Sequence, residues 1–157
     1  MGARHSAEPP QGHAATATMH YHRAAICHGR AQHLIPVDGH PKKKEYYAGV
    51  QRCHAKMREL LGGGMTKHEV EFDPGKRAYV YFWPAPGQGP KPTVLIIPGM
   101  DMIKEDAINP WNNYCHQRGM NVCAMDGPGQ GECNIHQVWV DHHNYARAGA
   151  KVVDFLC

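Results

Sequence analysis

Thr93-Val94-Leu95-Ile96-Ile97-Pro98 is the stretch on which the fold turns. Its residues are apolar without alternation, so both faces can be buried, as in a central strand of a parallel sheet. Gly99-Met100-Asp101 follows as a loop. Asn109 is placed to cap a helix with Pro110 at its first position, where the missing N–H costs nothing; that helix runs to Arg118 and Gly119 ends it. Asn121–Met125 is a second buried strand, 126–137 a glycine-rich loop, and Asp141 caps a last helix carrying Tyr145, Ala148, Val152 and Leu156. Alternation of strand and helix implies a parallel sheet with right-handed crossovers.

Upstream of this core the period is two. Val70 and Phe72 alternate with charged residues, and Ala78, Val80 and Phe82 alternate with Tyr79, Tyr81 and Trp83. Asp73-Pro74-Gly75-Lys76 between them is a turn signal, because proline presets φ and glycine accepts a positive φ. The pair reads as an antiparallel hairpin, followed by a loop over 85–92. Further upstream the period is helical. Ala24, Cys27, Ala31 and Leu34 mark a helix over 19–35. Tyr46, Val50, Cys53, Met57 and Leu60 mark another over 42–61, ended by Gly62-Gly63-Gly64. Three parts result: a polar tail over 1–18 expected to be disordered, a helical hairpin over 19–64, and a strand–helix core over 65–157.

Composition excludes several classes. The chain has 157 residues, 42% of them hydrophobic, enough for one domain with a core. A net charge of +3 gives no strong pull toward nucleic acid, and Lys42-Lys43-Lys44 reads as a solvated helix end. No run approaches the ~20 apolar residues of a membrane span, and the N-terminus has no signal-peptide core. Six cysteines without a C-x-x-C pair read as reduced thiols, so a cytoplasmic location is expected. Thirteen histidines form no H-E-x-x-H, and no metal site is expected. No cofactor is expected either. Gly127, Gly129 and Gly131 are spaced G-x-G-x-G rather than G-x-G-x-x-G, with no helix expected at the third glycine. Glu105 and Asp106 read as favourable charge near a helix start, and Cys133 as a structural thiol in a loop. The only serine is Ser6, in the tail.

A strand apolar on both faces wants neighbours on both sides, and 93–98 has one further parallel strand available. The chain then stops inside the apolar run VVDFLC, and the expectation is a fragment of a larger sheet. Its free edge predicts self-association, or a binding module that takes a partner's strand by β-augmentation.

Three stretches resemble a known family. TVLIIPGMDMIKED (93–106) is similar to a third core strand and its glycine turn, and RGMNVCAMDGPGQGE (118–132) to a fourth strand with its Asp-Gly-Pro-Gly-Gln-Gly-Glu loop. YHRAAICHGRAQHLIP (21–36) is similar to helices that help form a cap over an active site. Together they resemble the N-terminal half of α/β-hydrolases of the 2,6-dihydroxypseudooxynicotine hydrolase and FrsA-like esterase type. The fold implied is an incomplete α/β-hydrolase, ending before the nucleophile elbow. The resemblance implies a serine hydrolase acting on small esters, or on ketones at an acyl carbon–carbon bond, through a Ser–Asp–His triad. In this fold the serine lies in a G-x-S-x-G turn after the fifth core strand, expected beyond Cys157. No residue here inherits a triad role, and the chain is expected to be inert alone. What the resemblance assigns to this chain is part of the oxyanion hole, the backbone of Gly99, Met100 and Asp101, with the Met100 N–H as donor. It also assigns a structural active-site loop with Asp126, Gly127, Gly129 and Gly131. Pro98 and Met102-Ile103 depart from the family's usual residues in the oxyanion loop.

Overall fold

The computed structural model describes residues 12–157. Helices α1 (His13–His33) and α2 (Pro41–Leu60) form an antiparallel hairpin. Their close approach depends on Gly49, where a Cβ would sit 2.7 Å from the His28 ring. The start of α2 follows from Pro41 at its first turn and from His40, whose Nδ1 accepts the Lys42 N–H at 3.1 Å. Helix α1 begins earlier than the periodicity indicates. Residues 13–18, expected to belong to a disordered tail, are helical, and Thr18 is buried with its hydroxyl donating to the Ala14 carbonyl. Residues 1–11 of that expected tail lie outside the described residues.

Strands β1 (Thr66–Asp73) and β2 (Lys76–Trp83) form the expected antiparallel hairpin, with Gly75 at φ 71° in the turn. Strands β3 (Thr93–Ile96) and β4 (Asn121–Asp126) pair in parallel, in register from Thr93 opposite Asn121 to Ile96 opposite Ala124. The sheet order is β1-β2-β4-β3. Strands β2 and β4 are therefore interior; β4 is antiparallel to β2 on one side and parallel to β3 on the other, and its residues 122–126 are all buried. Strand β3 has β4 as its single neighbour among the described residues. It stays half-buried, and Ile97 just beyond it is 51% exposed.

One face of the sheet carries Val70, Phe72, Val80, Cys123 and Met125 against α5 (Asn144–Leu156), whose Ala148 and Val152 are fully buried. The opposite face carries Tyr81, Val122 and Ala124 against Met65 and Ile108. The helical hairpin has its own small core of Ala25, Tyr47 and Val50, which reaches Ile103. The N-cap of α5 is His143 rather than the expected Asp141; Asp141 instead closes the turn ahead of the helix, its Oδ1 accepting the N–H groups of His143 and Asn144 at 2.9 and 2.8 Å.

Two elements differ from expectation. The helix expected from Pro110 to Arg118 shrinks to α3 (Tyr114–Gln117). Asn109 spends its carboxamide on the N–H groups of Trp111 and Asn112 in a local turn, and Asn113 caps the short helix through the His116 N–H. Asparagine side chains compete with helical backbone bonds in this way. Gly119, at φ 78°, does end it. In the glycine-rich segment, a short helix α4 (Gly131–Ile135) starts at Gly131, contrary to expectation.

Candidate active site

Ligands of open α/β sheets bind outside the carboxyl ends of the parallel strands. Here that end carries two loops, 97–102 after β3 and 127–130 after β4. The first is exposed: Met100 is 88% accessible, Gly99 and Asp101 are also exposed, and its internal bond runs from the Met102 N–H to the Gly99 carbonyl at 3.0 Å. The Met100 N–H makes no hydrogen bond among the described residues. A shallow polar cleft beside it is lined by Gln32 and His33 of α1, Lys43 of α2, Met100, Asp101 and Asn134. His33 Nε2 lies 3.8 Å from Asp101 Oδ1 across this cleft.

The second loop is fixed by its own side chains. Asp126 accepts the Lys104 N–H at 2.8 Å through one carboxylate oxygen, and the Glu132 N–H at 2.9 Å through the other. A Cβ on Gly131, which sits at φ 38°, would lie 2.2 Å from Asp126 Oδ2, so this position admits only glycine. The N-terminus of α4 is thus filled by the chain's own carboxylate, which excludes the phosphate cradle that three spaced glycines suggest. A Cβ on Gly127 would sit 2.7 Å from the Tyr145 ring, and one on Gly129 would touch Val140.

Beneath both loops lies a charged cluster that the spacing of residues did not reveal. The Lys104 ammonium is fully buried and contacts Asp126 Oδ2 at 2.8 Å, Glu132 Oε2 at 2.9 Å, Glu105 Oε1 at 3.1 Å and the Tyr47 hydroxyl at 2.9 Å. Tyr47, from α2, donates its hydroxyl to Asp126 Oδ2 at 3.1 Å, and Lys67, from β1, pairs with the other oxygen of Glu132. Burial works against the charge on Lys104, but Asp126 and Glu105 outweigh it and raise its pKa well above the usual value. Burial also opposes ionisation of Glu132, and there Lys104 and Lys67 prevail and hold the carboxyl below its usual range. At Glu105 burial prevails over Lys104 and pushes the carboxyl up. Three carboxylates thus face two ammonium groups in this cluster. Glu105 and Asp106 are therefore not charges at a helix start. They sit in a turn and diverge, Glu105 into this cluster and Asp106 toward the Ile103 N–H at 3.4 Å. The arrangement ties α2, β1, β4 and the 103–106 turn to one point, with Lys104 wholly buried at its centre, as suits a structural anchor.

The expected site residues are thus brought to one end of the sheet but not into one constellation. Gly99, Met100 and Asp101 face solvent, while Asp126, Gly127 and Gly131 pack inward. Cys133 is buried, its thiol donating to the carbonyls of Arg77 and Asp126, and burial first of all pushes its pKa up to about 12, which keeps it protonated. Among the described residues, no group of three or more His, Cys, Asp or Glu is placed to hold a metal ion, and no helix is long and apolar enough to cross a membrane.

A mixed sheet of order β1-β2-β4-β3, with an exposed turn after β3 and a locked glycine loop after β4, defines the N-terminal portion of an α/β-hydrolase fold. The solved structure of 2,6-dihydroxy-pseudo-oxynicotine hydrolase superposes on 92% of the chain with a TM-score of 0.74 and 29% identity, using 39% of its own length. The protein AbyA5 shares the fold at 17% identity, with a TM-score of 0.68 over 90% of this chain and 42% of its own. In sequence, the chain belongs to the FrsA-like esterase family, whose model matches residues 7–148. It is 32% identical over 134 residues to 2,6-dihydropseudooxynicotine hydrolase of Paenarthrobacter nicotinovorans, covering 85% of this chain and 34% of that protein. It is 28% identical over 119 residues to esterase FrsA of Escherichia coli O157:H7, covering 64% of this chain and 29% of that one. The chain thus spans about a third of the length of the curated relatives it matches.

Proposed function

We propose that this chain forms the N-terminal portion of a serine hydrolase acting on a small ester or on an acyl carbon–carbon bond, and that it is inert by itself. The observation that carries the proposal is the open outer edge of β3 beside the exposed Gly99-Met100-Asp101 turn. Strand β4 already has two partners, so a parallel strand that followed α5 by a right-handed crossover would join the sheet outside β3. A nucleophile turn at the end of such a strand would face the Met100 N–H. One aimed N–H stabilises a developing oxyanion by about 3–4 kcal/mol. The described residues hold no serine to serve as nucleophile, and Cys133 stays protonated. In this arrangement the helical hairpin supplies one wall of the cleft through Gln32, His33 and Lys43.

The test compares p-nitrophenyl ester hydrolysis by the pure chain and by a chain extended through a complete hydrolase core that carries the G-x-S-x-G serine and the acid and histidine that follow it. Turnover confined to the extended chain, and removed by a serine-directed phosphonate, is expected. Phosphonate-sensitive turnover by the pure chain would overturn the proposal.

A further inference from the structure

The turn after β3 has few bonds of its own, yet two of its carbonyls are held from below by a single side chain. Gln130 is 7% exposed, and its Nε2 donates to the Pro98 carbonyl at 2.8 Å and to the Gly99 carbonyl at 2.9 Å. Its Oε1 accepts the Gly127 N–H at 3.2 Å and the Tyr145 hydroxyl at 2.5 Å. Both ends of the carboxamide are thereby fixed, so the amide cannot turn over without losing bonds at each. Tyr145 is in turn seated by Gly127, whose missing side chain leaves the space the ring occupies. The chain contains no cis peptide bond among the described residues, and in a trans peptide the C=O and N–H point in opposite directions. Fixing the Gly99 carbonyl on Gln130 therefore turns the N–H of the same peptide unit, that of Met100, away from Gln130.

We infer that Gln130, seated by Tyr145 of α5, is the positioning residue that sets the direction of the Met100 N–H. The functional meaning of that direction rests on the hydrolase proposal above; the bracing itself does not. The bracing gives the Gly127-to-Gln130 segment a purpose beyond tight turning, since it couples the ends of both parallel strands to α5 through one carboxamide. Tyr145 of α5 contacts Gln130 directly, and His33 of α1, Lys43 of α2 and Asp101 of the turn line the same cleft; these titratable and charged groups bear on the test.

The experiment is amide NMR on the full chain with Gln130→Glu and Tyr145→Phe. An ionised carboxylate at position 130 still accepts from Gly127 and Tyr145 but faces two carbonyl oxygens without a donor. At neutral pH the Met102 N–H, which bonds the Gly99 carbonyl, is expected to exchange about ten-fold faster than in the natural chain, the effect of roughly one lost hydrogen bond. On acidification the protonated carboxyl regains one donor, and the signals of residues 99–102 are expected to return toward their natural positions along a single titration curve. His33, Lys43, Asp101 and Tyr145 are present in both proteins, so the difference between them reads position 130. Tyr145→Phe keeps the ring against Gly127 and is expected to loosen the turn by a smaller factor. Signals that match the natural chain throughout, or a displacement that does not titrate, would overturn the inference. If Gln130→Glu fails to fold, Tyr145→Phe decides, and an unchanged Met102 exchange rate would overturn it. Neither result touches the hydrolase proposal, which stands or falls on the extended chain's turnover.

Discussion

The loops after β3 and β4 leave the sheet side by side, and their backbones are treated in opposite ways. After β4, the polar groups of 126–132 are taken up by Asp126, Gln130 and Lys104, and the glycines are there because neighbouring atoms occupy the space of their side chains. After β3, the Met100 N–H is left open and the loop depends on its neighbour for shape. The N–H groups of Gly127, Gly129, Gln130 and Glu132 are all bonded, which suits this loop to support. A loop with a free donor, held from behind by a rigid one, can meet a ligand. On the proposed function, the loop after β4 supplies stability and the loop after β3 the free donor.

The sharpest way to break that division is to remove the cation beneath the locked loop. Lys104→Met leaves Asp126, Glu132 and Glu105 buried against each other with Lys67 alone for compensation. A loss of about 3–5 kcal/mol is expected in a urea melt, the usual result of breaking a buried ion pair from one side. A loss near zero would mean that the cluster is not the anchor described here.

Acid tests the seam between the hairpin and the sheet. His54 of α2 is fully buried, stacks on Tyr81 at 4.6 Å, and has no hydrogen-bond partner for either ring nitrogen among the described residues. Burial, aided by the nearby Arg58 and Lys104 charges, lowers its pKa to about 3. With the folded value below the unfolded one, the stability from neutral His54 is present above about pH 6.5 and is lost as pH falls toward 3, by about 1.4 kcal/mol per pH unit. His54→Phe, which keeps a ring on Tyr81, is expected to lose about 2–3 kcal/mol less than the natural chain between pH 6.5 and 4.5. Parallel stability curves for the two proteins would contradict this.

Gly127→Ala sharpens the comparison within the locked loop. Its Cβ would collide with the Tyr145 ring, and a cost of about 1–3 kcal/mol is expected from overpacking. Because the two residues share one space, the double variant with Tyr145→Ala should cost less than the sum of the single changes. Met100→Ala, at the most exposed apolar side chain of the open loop, should change stability by less than about 0.5 kcal/mol.

Much of this fold is legible in the sequence because it is local. Uninterrupted apolar runs mark β3 and β4, alternation and Pro74-Gly75 mark the hairpin, and three-and-four spacing marks α2 and α5. Where the sequence misleads, short polar side chains intervene. Asn109 and Asn113 bond their own backbone and cut α3 to one turn, and Asp126 creates α4 by capping it. The supporting half of the site is illegible for a different reason. Lys104, Glu105 and Glu132 look like solvated charges, and their partners lie up to 65 residues away in sequence. No periodicity reports such a meeting. Gln130 is hidden in the same way, its two carbonyl partners being 31 and 32 residues distant. The signal available to a reader is indirect: glycines on both sides of a glutamine and an acid mark places where something else comes close.

Amide hydrogen exchange along β3, measured at dilutions where the chain is a monomer, reads whether the outer edge of this strand is open. Successive residues of a strand in a parallel sheet bond to opposite neighbours. Slow exchange for the Thr93–Ile96 amides that face β4, with free exchange for those that alternate with them, is the result expected of an edge that awaits another strand. Uniformly slow exchange along 93–96 would mean that both sides are already paired, and that this sheet needs nothing further.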